Sequence, residues 1–413
     1  MKLSARVQKI SESITLKLNA KAVDLAAQGK KVYNLTAGQL PFRPMNSFVD
    51  LIRSESDFIK SFQYSPVAGY PELKKKIIDN FQETRGVNLS NAGEGTEFDV
   101  VVSNGGKHCL TNIFGALLDH GDEVIMFSPY WVSYPEMVKF CGANPVIVET
   151  SPFDVFIPSL EEFERKITDK TKIVVVNSPN NPTGTHYRDD WMQAFADIMV
   201  KYPEITIISD EIYYQLYYYD PKPTYFYQHR PELLERTVIV DGISKTLAST
   251  GLRIGYTIAP KTLAKAINTL QGQTTSGANS LVQRALTQFD FNQIPVFLEP
   301  IKKHLRANAE ILGEALSDHK LGHVWYQPTS AFYYLIDFSQ TPVIEKYKAK
   351  EEKEDYSYDI CEELLEEYGI AMVPGVAFGS PNTARLSLVS EKEPFKEAID
   401  IIMKFLLETD SNS

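Results

Sequence analysis

The sequence predicts an α/β fold: a large domain with a mostly parallel seven-stranded sheet, plus a smaller α+β domain. Two observations carry the sheet. Seven short apolar runs rich in Val and Ile recur at 98–102, 123–127, 145–148, 173–176, 205–208, 238–240 and 254–258, and amphipathic stretches such as 110–118 and 191–200 lie between most of them. Runs of this kind are strands buried on both faces, and helical crossovers make their neighbours parallel. Secondly, polar and glycine-rich clusters follow the runs. Ligands of such sheets sit beyond the strands' carboxyl ends, so these clusters are expected to share one site.

Composition narrows the function. At 413 residues, 43% hydrophobic and 23% charged, the chain is ordinary globular material with length enough for two domains. A net charge of -11 argues against nucleic acid, which requires clustered cations. No run of apolar residues is long enough to span a membrane, and no basic amphipathic stretch suggests a membrane surface. Residues 1–18 lack the apolar centre of a signal peptide. Cys109, Cys141 and Cys361 are widely spaced and outside any metal pattern, so they read as buried thiols in a reducing compartment, the cytoplasm. The seven histidines are scattered, and no metal is assigned.

In chain order, 13–29 reads as a helix that Ser13 can cap, 32–35 as a short strand, and Thr36-Ala37-Gly38-Gln39 as a loop. Gln63-Tyr64-Ser65-Pro66 is turn-rich and leads to a helix. After the first run, Ser103-Asn104-Gly105-Gly106-Lys107 opens a helix whose free amides suit a phosphate. Lys107 there opposes the helix dipole, which favours a functional reason for it. Ser128-Pro129-Tyr130-Trp131 and the turn-forming Asn177-Ser178-Pro179-Asn180-Asn181-Pro182-Thr183-Gly184 follow later runs. Ser209-Asp210-Glu211-Ile212-Tyr213 ends a purely apolar strand, where a carboxylate is costly unless paired. Residues 213–227 are rich in tyrosine and are expected to pack a subunit or form a surface aromatic patch.

Ser244-Lys245-Thr246-Leu247-Ala248-Ser249-Thr250-Gly251-Leu252-Arg253-Ile254-Gly255 follows the run at 238–240. Partial desolvation there favours the neutral amine of Lys245, a usable nucleophile, and Arg253 offers a planar fork for phosphate. Alone, Ser-Lys is more ordinarily a loop lysine that solvates a strand end. Beyond it, 261–276 and the stretch after 280 read as helical, and 295–317 as a long helix leading to the second domain. A strand is expected at 331–336, a solvated charge run at 346–355, a helix at 358–368, a strand at 383–387 with a central Arg385, and a last helix at 395–407.

The spacing Ser-Lys-x5-Gly-x-Arg-x-Gly resembles the lysine segment of fold-type-I pyridoxal-phosphate aminotransferases, most closely the branch of the bacterial aspartate aminotransferases. Asn181-Pro182-Thr183-Gly184 and the other clusters occur in that family's order. The resemblance implies the cofactor pyridoxal 5'-phosphate, bound to Lys245 as a Schiff base, with Asp210 and Tyr213 as its catalytic partners. It implies cofactor binding by Tyr64 (from a neighbouring subunit), Gly105, Gly106, Lys107, Trp131, Asn181, Ser244 and Arg253. Substrate would be held by Thr15, Gly38, Lys107, Trp131, Asn181 and Arg385. The partners implied are an L-amino acid, aspartate or glutamate, and a 2-oxo acid, in a homodimer with active sites at its interface. Aromatic amino acids or prephenate, a C–S β-lyase, and a non-catalytic ligand-sensing module are the alternatives. The implied division is 1–45 as an N-terminal helix and loop packing on the small domain, 46–294 as the large domain, and 295–413 as the small one.

Overall fold

Alternation along the apolar runs sorts their side chains onto two faces of one sheet. In a computed structural model that describes residues 3–8, 10 and 14–409, Val100, Val102, Ile125, Val174, Val176, Ile207 and Ile239 join one hydrophobic cluster. Val101, Val124, Met126, Ile173, Val175, Ile208 and Val238 join another. Each face is therefore covered, as continuous apolar strands require.

The strands are β1 (Tyr33–Asn34), β2 (Phe98–Ser103), β3 (Glu123–Phe127), β4 (Asn144–Val148), β5 (Thr171–Asn177), β6 (Thr206–Asp210), β7 (Thr237–Gly242), β8 (Gly255–Pro260), β9 (Tyr333–Asp337), β10 (Ile370–Ala371), β11 (Val373–Pro374) and β12 (Thr383–Ser387). All seven expected runs enter one seven-stranded sheet of order β2-β8-β7-β6-β5-β3-β4. Only β8 runs antiparallel to its neighbours. Its first residue, Gly255, thus lies opposite Ser103, the last of β2. This reversal brings Arg253, which precedes β8, to the same edge as the carboxyl ends of the other strands. At that edge a Cβ on Gly255 would lie 2.5 Å from the Gly106 nitrogen, so only glycine admits this close approach.

The helix Ile294–Asp318 leads to a three-stranded antiparallel sheet, β11-β12-β9. The helix Lys392–Leu406 packs on it with Phe395, Ile399, Ile402 and Met403 buried. The N-terminal segment joins this end of the chain: β1 pairs in parallel with β10, and Ser387 N donates to the Leu35 carbonyl at 2.9 Å. The turn at Gly184 is also tied there, its carbonyl accepting from the amides of Thr329 and Ser330 at 2.8 and 2.9 Å.

Two expectations are corrected. The tyrosine-rich segment is mostly core rather than surface: Tyr213, Tyr214, Tyr218, Tyr225 and Tyr227 are buried within the chain, and Tyr217 and Tyr219 are half-buried. The charge run is not uniformly solvated: it begins on the helix Val343–Lys350, where Tyr347 is buried and Lys346 Nζ reaches Glu363 and Glu408 at 2.5 and 2.9 Å. Of the cysteines, Cys109 and Cys361 are buried and Cys141 is half-buried. Ser13, the expected helix cap, lies outside the described residues, and the helix there is Ile14–Ala27.

Gly184 has φ +71°, and a Cβ on it would lie 2.0 Å from the Tyr333 carbonyl oxygen. Gly184→Ala is therefore expected to lower stability by about 2–4 kcal/mol, read as a fall in the thermal midpoint. An unchanged midpoint would contradict this packing.

Candidate active site

One cavity of about 830 Å³ opens at the carboxyl edge of the large sheet and reaches the β9–β12 sheet. It is lined by Asp210, Tyr213, Ser244, Lys245 and Arg253 from the ends of β6 to β8, by Gly106, Lys107 and Trp131 from the clusters after β2 and β3, and by Gly38, Asn181 and Arg385. The residues between 106 and 253 meet here because the strands of the large sheet end at one edge, and Gly38 and Arg385 join them from the N-terminal segment and from β12. Gly105 sits just beneath, where a Cβ would lie 2.6 Å from Nη2 of Arg253. Tyr64, implied for a neighbouring subunit's site, is 93% exposed and is not among the lining residues, although its chain neighbours are pinned: Ser280 Oγ donates to the Gln63 carbonyl at 2.5 Å and Ser65 Oγ to the Ala278 carbonyl at 2.9 Å. Thr15 lies on the first long helix, but its side chain is outside the described residues.

Lys245 projects from the short helix Ile243–Thr246 that follows β7, and its Nζ donates to the Gly38 carbonyl at 2.5 Å. Burial, helped by the nearby Arg385 and Arg253 cations, lowers its pKa from 10.5 to about 7. Asp210, the last residue of β6, shows the opposite shift. Burial pushes its carboxyl up to about 6, although the Tyr134 hydroxyl donates to Oδ2 at 2.5 Å and the Ile212 amide to Oδ1 at 3.3 Å. No ion pair joins Asp210 to a cation among the described residues.

Arg385 enters from the middle of β12, and it is buried rather than exposed on its strand. Its Nη1 donates to Asn181 Oδ1 at 3.0 Å and its Nη2 to the Thr36 carbonyl at 2.8 Å. Its Nε is buried and has no hydrogen-bond partner among the described residues. The guanidinium also lies 4.4 Å from the Tyr333 ring centre, and the Tyr333 hydroxyl is 3.1 Å from that of Tyr213. Asn181 is held in turn, its amide donating to Asn177 Oδ1 at 3.2 Å while Asn177 Nδ2 donates to the Asp210 carbonyl at 3.1 Å.

Tyr134, Asn177 and Tyr333 thus serve the site, and none was singled out from sequence. Tyr134 lies three residues past Trp131, one helical turn away, and Asn177 heads the Asn/Pro cluster. Those neighbours were the available signals. Tyr333 had none, since alternation along a strand does not say which aromatic faces a distant loop.

At the far wall, Arg253 has φ +56° and donates from Nη1 to the Thr250 carbonyl at 2.9 Å and from Nη2 to the Asn104 carbonyl at 3.3 Å. The Gly106 and Lys107 amides open the helix Gly106–Leu117, and neither donates to a carbonyl among the described residues. Lys107 Nζ lies 4.9 Å from the Trp131 ring centre, and burial together with Arg253 lowers its pKa. Two free amides beside a guanidinium suit a phosphate. A raised carboxyl suits a cationic ring nitrogen, a near-neutral lysine suits an aldehyde, and the orphan Nε of Arg385 suits a carboxylate. The donor set therefore fits pyridoxal phosphate together with an amino acid.

The sequence profile of the aminotransferase class I and II family matches residues 30–402. The chain belongs to the class I and II aminotransferases. This aminotransferase is 37% identical over 406 residues to the aspartate/prephenate aminotransferase of Thermus thermophilus, with 98% of each chain covered. It is 34% identical over 408 residues to the aspartate aminotransferase of Geobacillus stearothermophilus, covering 98% of this chain and 99% of that one. Among solved structures it resembles the aspartate aminotransferase from Thermus thermophilus with maleate, at TM-score 0.87 and 35% identity over 98% of this chain and 100% of that one. The Thermotoga maritima aspartate aminotransferase superposes with TM-score 0.83 at 34% identity, over 98% of this chain and 100% of that one.

The shift at Lys245 has a direct consequence. In the cofactor-free aminotransferase, acylation of Lys245 followed by peptide mapping is expected to reach half its maximal rate near pH 7, faster above that pH because the amine is then neutral. A midpoint near the 10.5 of an ordinary lysine would contradict the desolvated environment.

Proposed function

We propose that this aminotransferase works with pyridoxal 5'-phosphate and moves the amino group of a dicarboxylic L-amino acid, aspartate or glutamate, to a 2-oxo acid. The observation that carries the reading is a lysine held near pKa 7 in the same cavity as a buried carboxyl and a buried guanidinium that lacks a carboxylate. When bound, the cofactor supplies an aldehyde for the amino group and a ring that takes up the electron pair left at the substrate's α-carbon.

The chain's own groups do the rest. Lys245 Nζ would hold the cofactor and, with its lowered pKa, take and return the α-carbon proton near neutral pH. Asp210 would face the ring nitrogen, where a positive charge offsets the cost of burying its carboxylate. Trp131, Asn181 and Tyr213 would hold the ring, while Gly105, Gly106, Ser244 and Arg253 hold the phosphate. Arg385 would grip the α-carboxylate through the fork that now carries an unmatched Nε, with Asn181 and Gly38 beside it. Lys107, with Thr15, would receive the distal carboxylate. Tyr64, exposed on a pinned loop, would add its hydroxyl to the site of a second copy, which makes the working unit a homodimer.

The same reading divides the chain at 45/46 and 294/295. It places the protein in the cytoplasm, where three free thiols are stable. No helix among the described residues is long and apolar enough to cross a membrane.

A second reading is favoured by the ring and aliphatic surfaces of Tyr130, Trp131 and Ile147 in the cavity wall. These would accept an aromatic side chain or prephenate, the latter printed in the Thermus relative's name. Screening aspartate, glutamate, phenylalanine and tyrosine against 2-oxoglutarate and oxaloacetate separates the two. Aspartate or glutamate is expected to be the fastest donor, and Lys107→Met to lower kcat/KM for it about tenfold while sparing aromatic donors. Faster turnover of aromatic donors would favour the second reading. With a thioether amino acid as substrate, release of a thiol, pyruvate and ammonia without an acceptor would replace transfer by β-elimination at the carbon–sulfur bond.

A further inference from the structure

On the sheet face opposite Tyr134, three ionisable side chains that the mechanism does not use are buried together: Arg85, Glu211 and Asp241. Arg85 ends the helix Pro71–Arg85. Its Nε donates to Glu211 Oε2 at 2.7 Å and its Nη2 to Asp241 Oδ2 at 3.2 Å. Its guanidinium lies 3.1 Å from the Tyr214 ring centre. The carboxylates are otherwise satisfied. Ser209 Oγ and the Tyr227 hydroxyl donate to Glu211 Oε1 at 2.7 and 2.8 Å. The Tyr256 hydroxyl donates to Asp241 Oδ2 at 3.1 Å and the Gly242 amide to Oδ1 at 2.6 Å.

Such a cluster is a poor route to stability, because apolar residues of similar volume in place of a buried ion set are often neutral or better. What it fixes is position. Glu211 directly follows Asp210, and Asp241 lies in β7 just ahead of the turn that carries Lys245. The Glu211 amide also donates to the Val240 carbonyl at 2.9 Å, so the two strand ends are already neighbours. One planar guanidinium then spans both carboxylates, which a lysine's single nitrogen does not do with the same geometry. Behind burial, Glu211 is also among the groups that push the Asp210 carboxyl upward.

We propose that Arg85 is a positioning residue for amino transfer: by bridging Glu211 and Asp241 it locks the ends of β6 and β7 and holds Asp210 and Lys245 in their relative places. The proposal rests on the pyridoxal-phosphate reading above. Its test compares wild type with Arg85→Lys and Glu211→Gln. The single-turnover rate of the half-reaction with a saturating amino donor is measured in the holoenzyme, together with the donor's KM. That rate constant is independent of how much protein is active, so a merely structural defect does not move it.

Both variants are expected to react about tenfold more slowly with KM within twofold of wild type. In the cofactor-free protein, hydrogen–deuterium exchange is expected to quicken in peptides covering 206–213 and 237–246 and not elsewhere in the sheet. Glu211→Gln keeps the side-chain shape and carries the test should Arg85→Lys not fold. Folded variants with the wild-type rate constant and unchanged exchange would overturn the positioning role. Absence of any donor-dependent half-reaction in wild type would instead overturn the cofactor reading beneath it.

Discussion

Lys245, Asp210 and Arg385 share one desolvated cavity, and none is neutralised by another. Burial lowers the lysine toward neutrality and raises the carboxyl to about 6, while Arg385 spends its fork on an amide oxygen and a main-chain carbonyl. Burying charged groups unpaired is expensive, of the order of several kcal/mol for each ion. Asp210 and Arg385 bear that cost while charged, and Lys245 meets it by shifting toward its neutral amine. The groups that would offset it are those of a ligand: a cation opposite Asp210, an aldehyde at Lys245 and a carboxylate at Arg385. The architecture can be understood as the means of holding this incomplete set together.

The sheet does most of that work. Parallel strands deliver their carboxyl ends to one edge, so Asp210 and Lys245 arrive on adjacent strands without any long loop. The antiparallel β8 reverses the rule once and thereby returns Arg253 to the same edge. The second sheet contributes Arg385 from across the cavity. The turn at Gly184 links the two sheets through the amides of Thr329 and Ser330, close to Asn181, the residue that touches Arg385. Packing and chemistry therefore lie within one short turn, with Asn181 and Gly184 three residues apart.

The sheet was legible because its strands are apolar on both faces. Short runs of consecutive Val and Ile bounded by turn residues favour a buried strand over a helix, and all seven runs became strands. The clusters at strand ends were legible in part: Asp210 is a residue that an apolar strand end does not carry without a partner, whereas Lys245 and the Asn181 turn are ordinary alone and stood out through their spacing and order. What the residues alone did not disclose depended on contacts far apart in the chain. Nothing local marks Tyr333 as the neighbour of both Tyr213 and Arg385, nor β8 as the reversed strand. The tyrosine-rich segment was misread because tyrosine suits surface and core alike. Here Arg85, Glu211 and Asp241 draw its hydroxyls and ring faces inward, as the Tyr227 bond to Glu211 and the Tyr214 ring beneath Arg85 show. Burial of that kind follows from a charge cluster assembled from three separate segments, which no window of sequence contains.

The proposed chemistry depends on which nitrogen takes the cofactor. Incubation with pyridoxal phosphate, borohydride reduction and peptide mapping reads this directly. One stable pyridoxyl group per chain is expected, on the peptide containing Lys245. Modification at another lysine, or none at all, would contradict it.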